Sequence, residues 1–171
     1  MQFELSKEEK HRAKVPHEIL LVNLIGNHIL WFVAALGIAK SYWQPLALVP
    51  IVSVSILAYI FWRGSRSKQR DSWYVQAHWE ICMARSRLFS YMLLFLLGVS
   101  LLGWIGYSYL GMMDIAVKAI IGGVGMLPVM VTVLILIVME SDALHQANNG
   151  TISDSYAKRS PPPDELVIVE D

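Results

Sequence analysis

"ILLVNLIGNHILWFVAALGI", residues 19–38, decides the fold. It carries no Asp, Glu, Lys or Arg, and it matches the roughly 20 residues that an α-helix needs to cross the hydrocarbon of a bilayer. A backbone in lipid has to satisfy its own hydrogen bonds, so such a stretch reads as a helix. Three more blocks share its character, at about residues 46–62, 88–110 and 115–139. Runs such as "VTVLILIV" (residues 131–138) would suggest a strand in water, but here block length overrules propensity.

Composition agrees. Hydrophobic residues make up 55% of the 171 residues and charged ones 16%, with mean hydropathy +0.46. Soluble domains carry about 25% charge. The expected fold is therefore all-α: an integral membrane four-helix bundle of two transmembrane hairpins, with a cytoplasmic amphipathic helix between spans two and three. The expected organisation is a cytoplasmic segment (1–16), a four-span domain (17–140) with a cytoplasmic connection (63–87), and a disordered cytoplasmic tail (141–171) containing "NNG" and "SPPP". "LSKEEK" suggests a helix capped at Ser6, with Glu9 three residues on, and Pro16 reads as the boundary before span one.

Orientation follows from Lys and Arg. Twelve of the fourteen lie in the N-terminal segment, the central connection and the tail, leaving Lys40 and Lys118 for the other side. The positive-inside rule then places both termini and the connection in the cytoplasm of a cell inner membrane. In that connection Val75, Trp79, Cys82, Met83 and Ser86 share a stripe, which reads as a helix lying on the membrane surface, the competing reading being that it runs straight into span three as one long helix.

Span one spends two asparagines and a histidine where lipid is expected. His28 lies roughly 13–14 Å from Ile19, near mid-bilayer. Asn23 and Asn27 share a helical face, while His28 is rotated by about 100° from Asn27 in α-helical geometry. Polar side chains at that depth either join helices or handle a ligand or proton, so Asn23, Asn27 and His28 are the site candidates. Bis-histidine haem ligation finds no second histidine in spans two to four, and no cofactor is expected. Gly122, Gly123, Gly125 and Pro128 weaken span four near its middle. Ala119 with Gly123, and Gly103 and Gly111 in span three, read as helix-packing positions.

At the cytoplasmic edge, His17, Glu18, His78, Glu80, Cys82, Glu140, Asp142 and His145 are metal-ligand types without a diagnostic spacing. No metal is expected; His78 and Cys82, one turn apart, are the weak candidates. The C-terminal Leu166, Val167, Ile168 and Val169 form an apolar strand-former suited to binding a partner. One cysteine excludes the chemistry of the quinone-dependent disulfide-forming membrane oxidoreductases that the size and span count bring to mind. Small multidrug-resistance transporters place a glutamate inside span one, whereas Glu18 lies at its edge.

No nucleophile–base pair or phosphate loop stands out, so an enzyme is not expected. The expected function is an accessory, assembly or regulatory subunit that binds another membrane protein or a second copy of itself within the bilayer, with no nucleic acid. The alternative is a small transporter or a cofactor- or ligand-binding module with a polar mid-membrane site on span one, facing the weak middle of span four.

Overall fold

The computed structural model describes residues 1–163 and 168–169, and is all-helical apart from one pair of two-residue strands. Four helices are each long and apolar enough to cross a membrane: α1 (Lys7–Ile38), α2 (Gln44–Arg70), α3 (Trp73–Leu110) and α4 (Asp114–Asn149). A short α5 (Asp154–Arg159) follows. Strands β1 (Gln2–Phe3) and β2 (Ile168–Val169) pair antiparallel, Gln2 opposite Val169 and Phe3 opposite Ile168.

The helices overrun the apolar blocks. Ser6 caps α1 as expected, its hydroxyl accepting from the Glu9 amide at 3.2 Å. Pro16 does not end or begin a helix; it lies inside α1, which forgoes one backbone bond there. The long connection also contracts, because α2 and α3 leave only Asp71 and Ser72 between them. The separate amphipathic helix expected at the membrane surface is instead the first part of α3. No Gly or Pro interrupts residues 73–97, so nothing in the sequence stops the helix. Its stripe meets protein: Val75, Trp79, Cys82 and Ser86 are buried.

The chain divides into two compact units, Met1–Ala84 with Ile137–Asp171, and Arg85–Leu136. In the first, Phe3, Ala13, Tyr74, Val75, Trp79, Ala147, Ile152 and Tyr156 form one apolar core. The tail expected to be disordered contributes to it. α4 continues to Asn149, Gly150 turns the chain at φ 76°, and Ile152, Tyr156 and Ala157 are buried. A Cβ at Gly150 would also sit 2.9 Å from the Phe3 carbonyl oxygen, so only glycine suits the turn. The averaged polarity of the tail hid three apolar residues that bury together, and burial rather than composition decides order. The Tyr74 hydroxyl reaches the carbonyls of Gln146 (3.1 Å) and Thr151 (3.0 Å), and the N-terminal amine meets Asp154 at 3.0 Å.

The second unit is a helical hairpin turned at Gly111 (φ 67°), where the Met112 amide donates to the Gly106 carbonyl at 3.1 Å. Close packing uses Gly103, where a Cβ would meet Val117 and Ile121, and Gly125, where it would meet Leu96. Of the expected packing positions Gly103 is one; Gly123, like Gly122, faces open space and Gly111 serves the turn, while Gly125 packs as well. The weak middle of α4 is a π-helical segment, Ile121–Met126, in which the Leu127 amide donates to Gly122 O five residues back.

Asp71 holds the α2–α3 turn. Its carboxylate, with no side-chain exposure, accepts from Ser67 Oγ (2.8 Å), Arg63 (2.8 Å) and Arg12 of α1. Burial pushes this carboxyl up, but the Ser67 hydroxyl and the two guanidinium groups outweigh it and hold the pKa below the usual range. A depressed carboxylate stabilises the fold above its unfolded pKa, and that stability is lost as pH falls through the folded value. Asp71→Asn should therefore cost about 1–2 kcal/mol at neutral pH, the arginines being partly solvated. The deficit should shrink below about pH 4. Thermal unfolding in detergent across pH measures both effects.

Candidate functional site

Two polar clusters lie in the first unit. The first answers why span one carries "NLIGNH". Residues Val22–Trp31 of α1 form a π-helical run, at whose end the Phe32 amide donates to Asn27 O five residues back. Bonding from i to i+5 widens the turn, and it brings Asn23 and His28, five apart, onto one partner. Asn23 Nδ2 donates to Ser53 Oγ of α2 at 3.2 Å, and His28 Nε2 lies 2.9 Å from the same oxygen. Asn27 Nδ2 donates to the Val49 carbonyl (2.9 Å) and to Asn23 Oδ1 (3.2 Å). With Asn23 donating, the hydroxyl proton of Ser53 is free to point at His28. The α-helical estimate that turned His28 away from the Asn23–Asn27 face fails because the helix here is not α.

All three residues are buried and Ser53 fully so. The network joins α1 to α2 through neutral groups, the arrangement expected of polar glue between apolar helices. Gly122, Gly123, Gly125 and Pro128 belong to the other compact unit.

The second cluster lies nearer the chain ends. His17 of α1, His78 and Cys82 of α3 and Glu140 of α4 all have 0% exposure. His17 Nδ1 lies 2.6 Å from Glu140 Oε2, and His17 Nε2 lies 2.9 Å from His78 Nδ1. The Cys82 thiol donates to the Pro16 carbonyl at 3.3 Å. One ligand atom each from His17, Cys82 and Glu140 falls within 4.8 Å of the others. The Tyr74 ring closes on His78 edgewise, centroids 4.7 Å apart. A carboxylate can only accept, so His17 Nδ1–H donates to Glu140. The other nitrogen then accepts from His78, or donates to it when His17 carries a second proton. Glu140, His17 and His78 thus form a line along which a proton can pass.

Local sequence explains each placement. α1 starts early enough to include His17, α4 ends late enough to include Glu140, and one α-helical turn separates His78 from Cys82. Of the metal-ligand types at this edge, Glu18 is exposed, and Glu80 bonds Gln76 (3.0 Å) and the Tyr156 hydroxyl (2.7 Å). Asp142 bonds Gln146 (2.6 Å) and His145 bonds Asn149 (2.8 Å), each on its own helix. The contact that matters, His17 to Glu140, spans 123 positions of sequence, and no local spacing encodes it. The available signal was that His17 and Glu140 both abut the same end of their apolar blocks.

At the C-terminus, Leu166 and Val167 lie outside the described residues. Ile168 and Val169 form β2, whose main chain pairs with the chain's own N-terminus. Compared with family models, curated proteins and solved structures, the chain finds no match.

Ser53→Ala removes the oxygen shared by Asn23 and His28. It should lower stability by about 1–2 kcal/mol, read as a lower unfolding temperature in detergent. Ser55→Ala, whose hydroxyl bonds only the Ile51 carbonyl of its own helix (2.8 Å), should change stability little.

Proposed function

We propose that the chain is a multi-pass inner-membrane protein, with both termini cytoplasmic, that binds and handles a small ligand or ion at the His17–His78–Cys82–Glu140 cluster. The carrying observation is that four ligand-type side chains from three helices converge with no exposure. Taking a carboxylate fully out of water costs several kcal/mol, so buried groups of this kind are candidates for function as well as for structure. Twelve of fourteen basic residues lie at the same end of the helices as the cluster, which supports a cytoplasmic position for it.

The second reading is the accessory subunit that binds another membrane protein. It rested on glycine faces and the C-terminal peptide. Gly103 and Gly125 already pack inside their own hairpin, and Ile168 and Val169 already pair with Gln2 and Phe3. Gly103, Gly125 and the main chain of β2 are thus engaged within the chain, while Gly122 and Gly123 are not, and the buried cluster is what favours the ligand-site reading.

Two measurements test this. A membrane-impermeant thiol reagent added to intact cells should label Ser41→Cys and spare Ser155→Cys, both exposed positions; the reverse pattern would refute the orientation. Native mass spectrometry of the full chain, released from its own membranes, should then find a small bound species that His17→Leu abolishes. A stoichiometric protein partner instead, lost on deleting residues 166–171, would overturn the ligand-site reading in favour of the accessory one.

A further inference from the structure

We infer that the cluster is a binding site for a zinc-class divalent transition metal, with His17, Cys82 and Glu140 as ligands and His78 hydrogen-bonded behind them to His17. The inference rests on the ligand-site reading above and names its ligand. The donor set is one sulfur, one imidazole nitrogen and one carboxylate oxygen, from three helices. Thiolate with imidazole selects zinc, cobalt or copper, and disfavours magnesium and calcium, which take oxygen ligands.

Charge balance supports the choice. A divalent cation held by one thiolate, one carboxylate and one neutral imidazole is formally neutral, the state that full burial favours. Distance supports it as well. Ligand bonds of about 2.0–2.3 Å put tetrahedral donors roughly 3.3–3.7 Å apart. His17, Cys82 and Glu140 already lie within 4.8 Å of one another, so the widest separation need contract by about 1.5 Å at most to close the site. The shorter contacts of His17 to Glu140 (2.6 Å) and His78 (2.9 Å) are bridged by protons. At the nitrogen through which His17 binds, the metal takes the bridging proton's place, because one lone pair serves one partner. Cys82 binds as thiolate and releases the proton it now points at the Pro16 carbonyl.

The test uses the full-length chain, purified in detergent with a C-terminal tag that contains no histidine. Elemental analysis should find about one zinc-class ion per chain. After chelation, titration with cobalt chloride should give a thiolate-to-cobalt charge-transfer band in the near ultraviolet and tetrahedral absorption in the visible. Cys82→Ser should lose the charge-transfer band, and His17→Gln and Glu140→Gln should each weaken cobalt binding about 100-fold or more. Ser55→Ala serves as the control: its exposed hydroxyl bonds the Ile51 carbonyl of its own helix, away from the cluster, and the variant should bind as wild type does. Metal-free wild-type protein whose chelated form gives no cobalt spectrum would overturn the inference, as would unchanged binding in all three site variants. Should native mass spectrometry find a non-metal species lost in His17→Leu, the metal inference falls and the ligand-site reading stands. If it finds no small bound species, both fall.

Discussion

A carboxylate with no exposure has to find its partners inside the chain, and Glu140 finds one in His17, 2.6 Å away and 123 residues earlier. That contact sets α1 and α4 in register at one end. His17 passes the constraint to α3 through His78, and Cys82, one turn further, answers to the Pro16 carbonyl of α1. Three helices are thereby fixed before any apolar packing is counted. Apolar faces would not do this alone, since Leu and Val slide past one another at little cost, whereas a hydrogen bond inside an apolar surround tolerates no slip. The core of Phe3, Tyr74, Trp79 and Tyr156 then closes over the same end.

Much of the architecture was legible because length and apolarity act locally. Four helices, with short turns after the first and third, could be counted from residues 19–38, 46–62, 88–110 and 115–139. Helix ends were not legible, because polar residues past an apolar block extend a helix as readily as they form a loop. "KQRDSWYVQ" contains only Asp71 and Ser72 as real punctuation, yet its charge made the whole of residues 63–87 look like a connection. The same averaging made residues 141–159 look disordered, although Ile152, Tyr156 and Ala157 supply enough apolar surface to dock.

The candidate sites divide along similar lines. Asn23, Asn27 and His28 were conspicuous by contrast with their neighbours, and they are buried together. What a sequence read at α-helical spacing could not supply was the i to i+5 run that turns His28 toward Ser53. Gly26, lacking a side chain, and two asparagines lower the α-helical preference of this stretch, and the shared bond to α2 rewards the wider turn. The Glu140 cluster was harder to see. Each residue looked like an ordinary interfacial charge, and only the overrun of α1, α3 and α4 beyond their apolar blocks brings them together.

The two clusters also differ in the charge they can carry, and their positions along α1 follow from that. The pair nearest mid-helix, around Ser53, is made of amides, a hydroxyl and one imidazole, groups that are satisfied while neutral. The cluster around His17 holds a carboxylate and a thiol, groups that work as anions. In the membrane placement proposed above, an anion near the bilayer centre costs at least about 2.5–3.5 kcal/mol, and the cost falls toward the ends. In that placement the neutral hydrogen bonds fall where lipid would be deepest. The carboxylate meets α1 eleven residues earlier, at His17, and the thiol at Pro16 beside it, where the Tyr74 ring packs against His78. The folded tail bears on the cluster at one remove: the Thr151 carbonyl accepts from the Tyr74 hydroxyl at 3.0 Å, and the Tyr74 ring so held packs edgewise on His78, so the tail fixes the wall of the cluster rather than its donors.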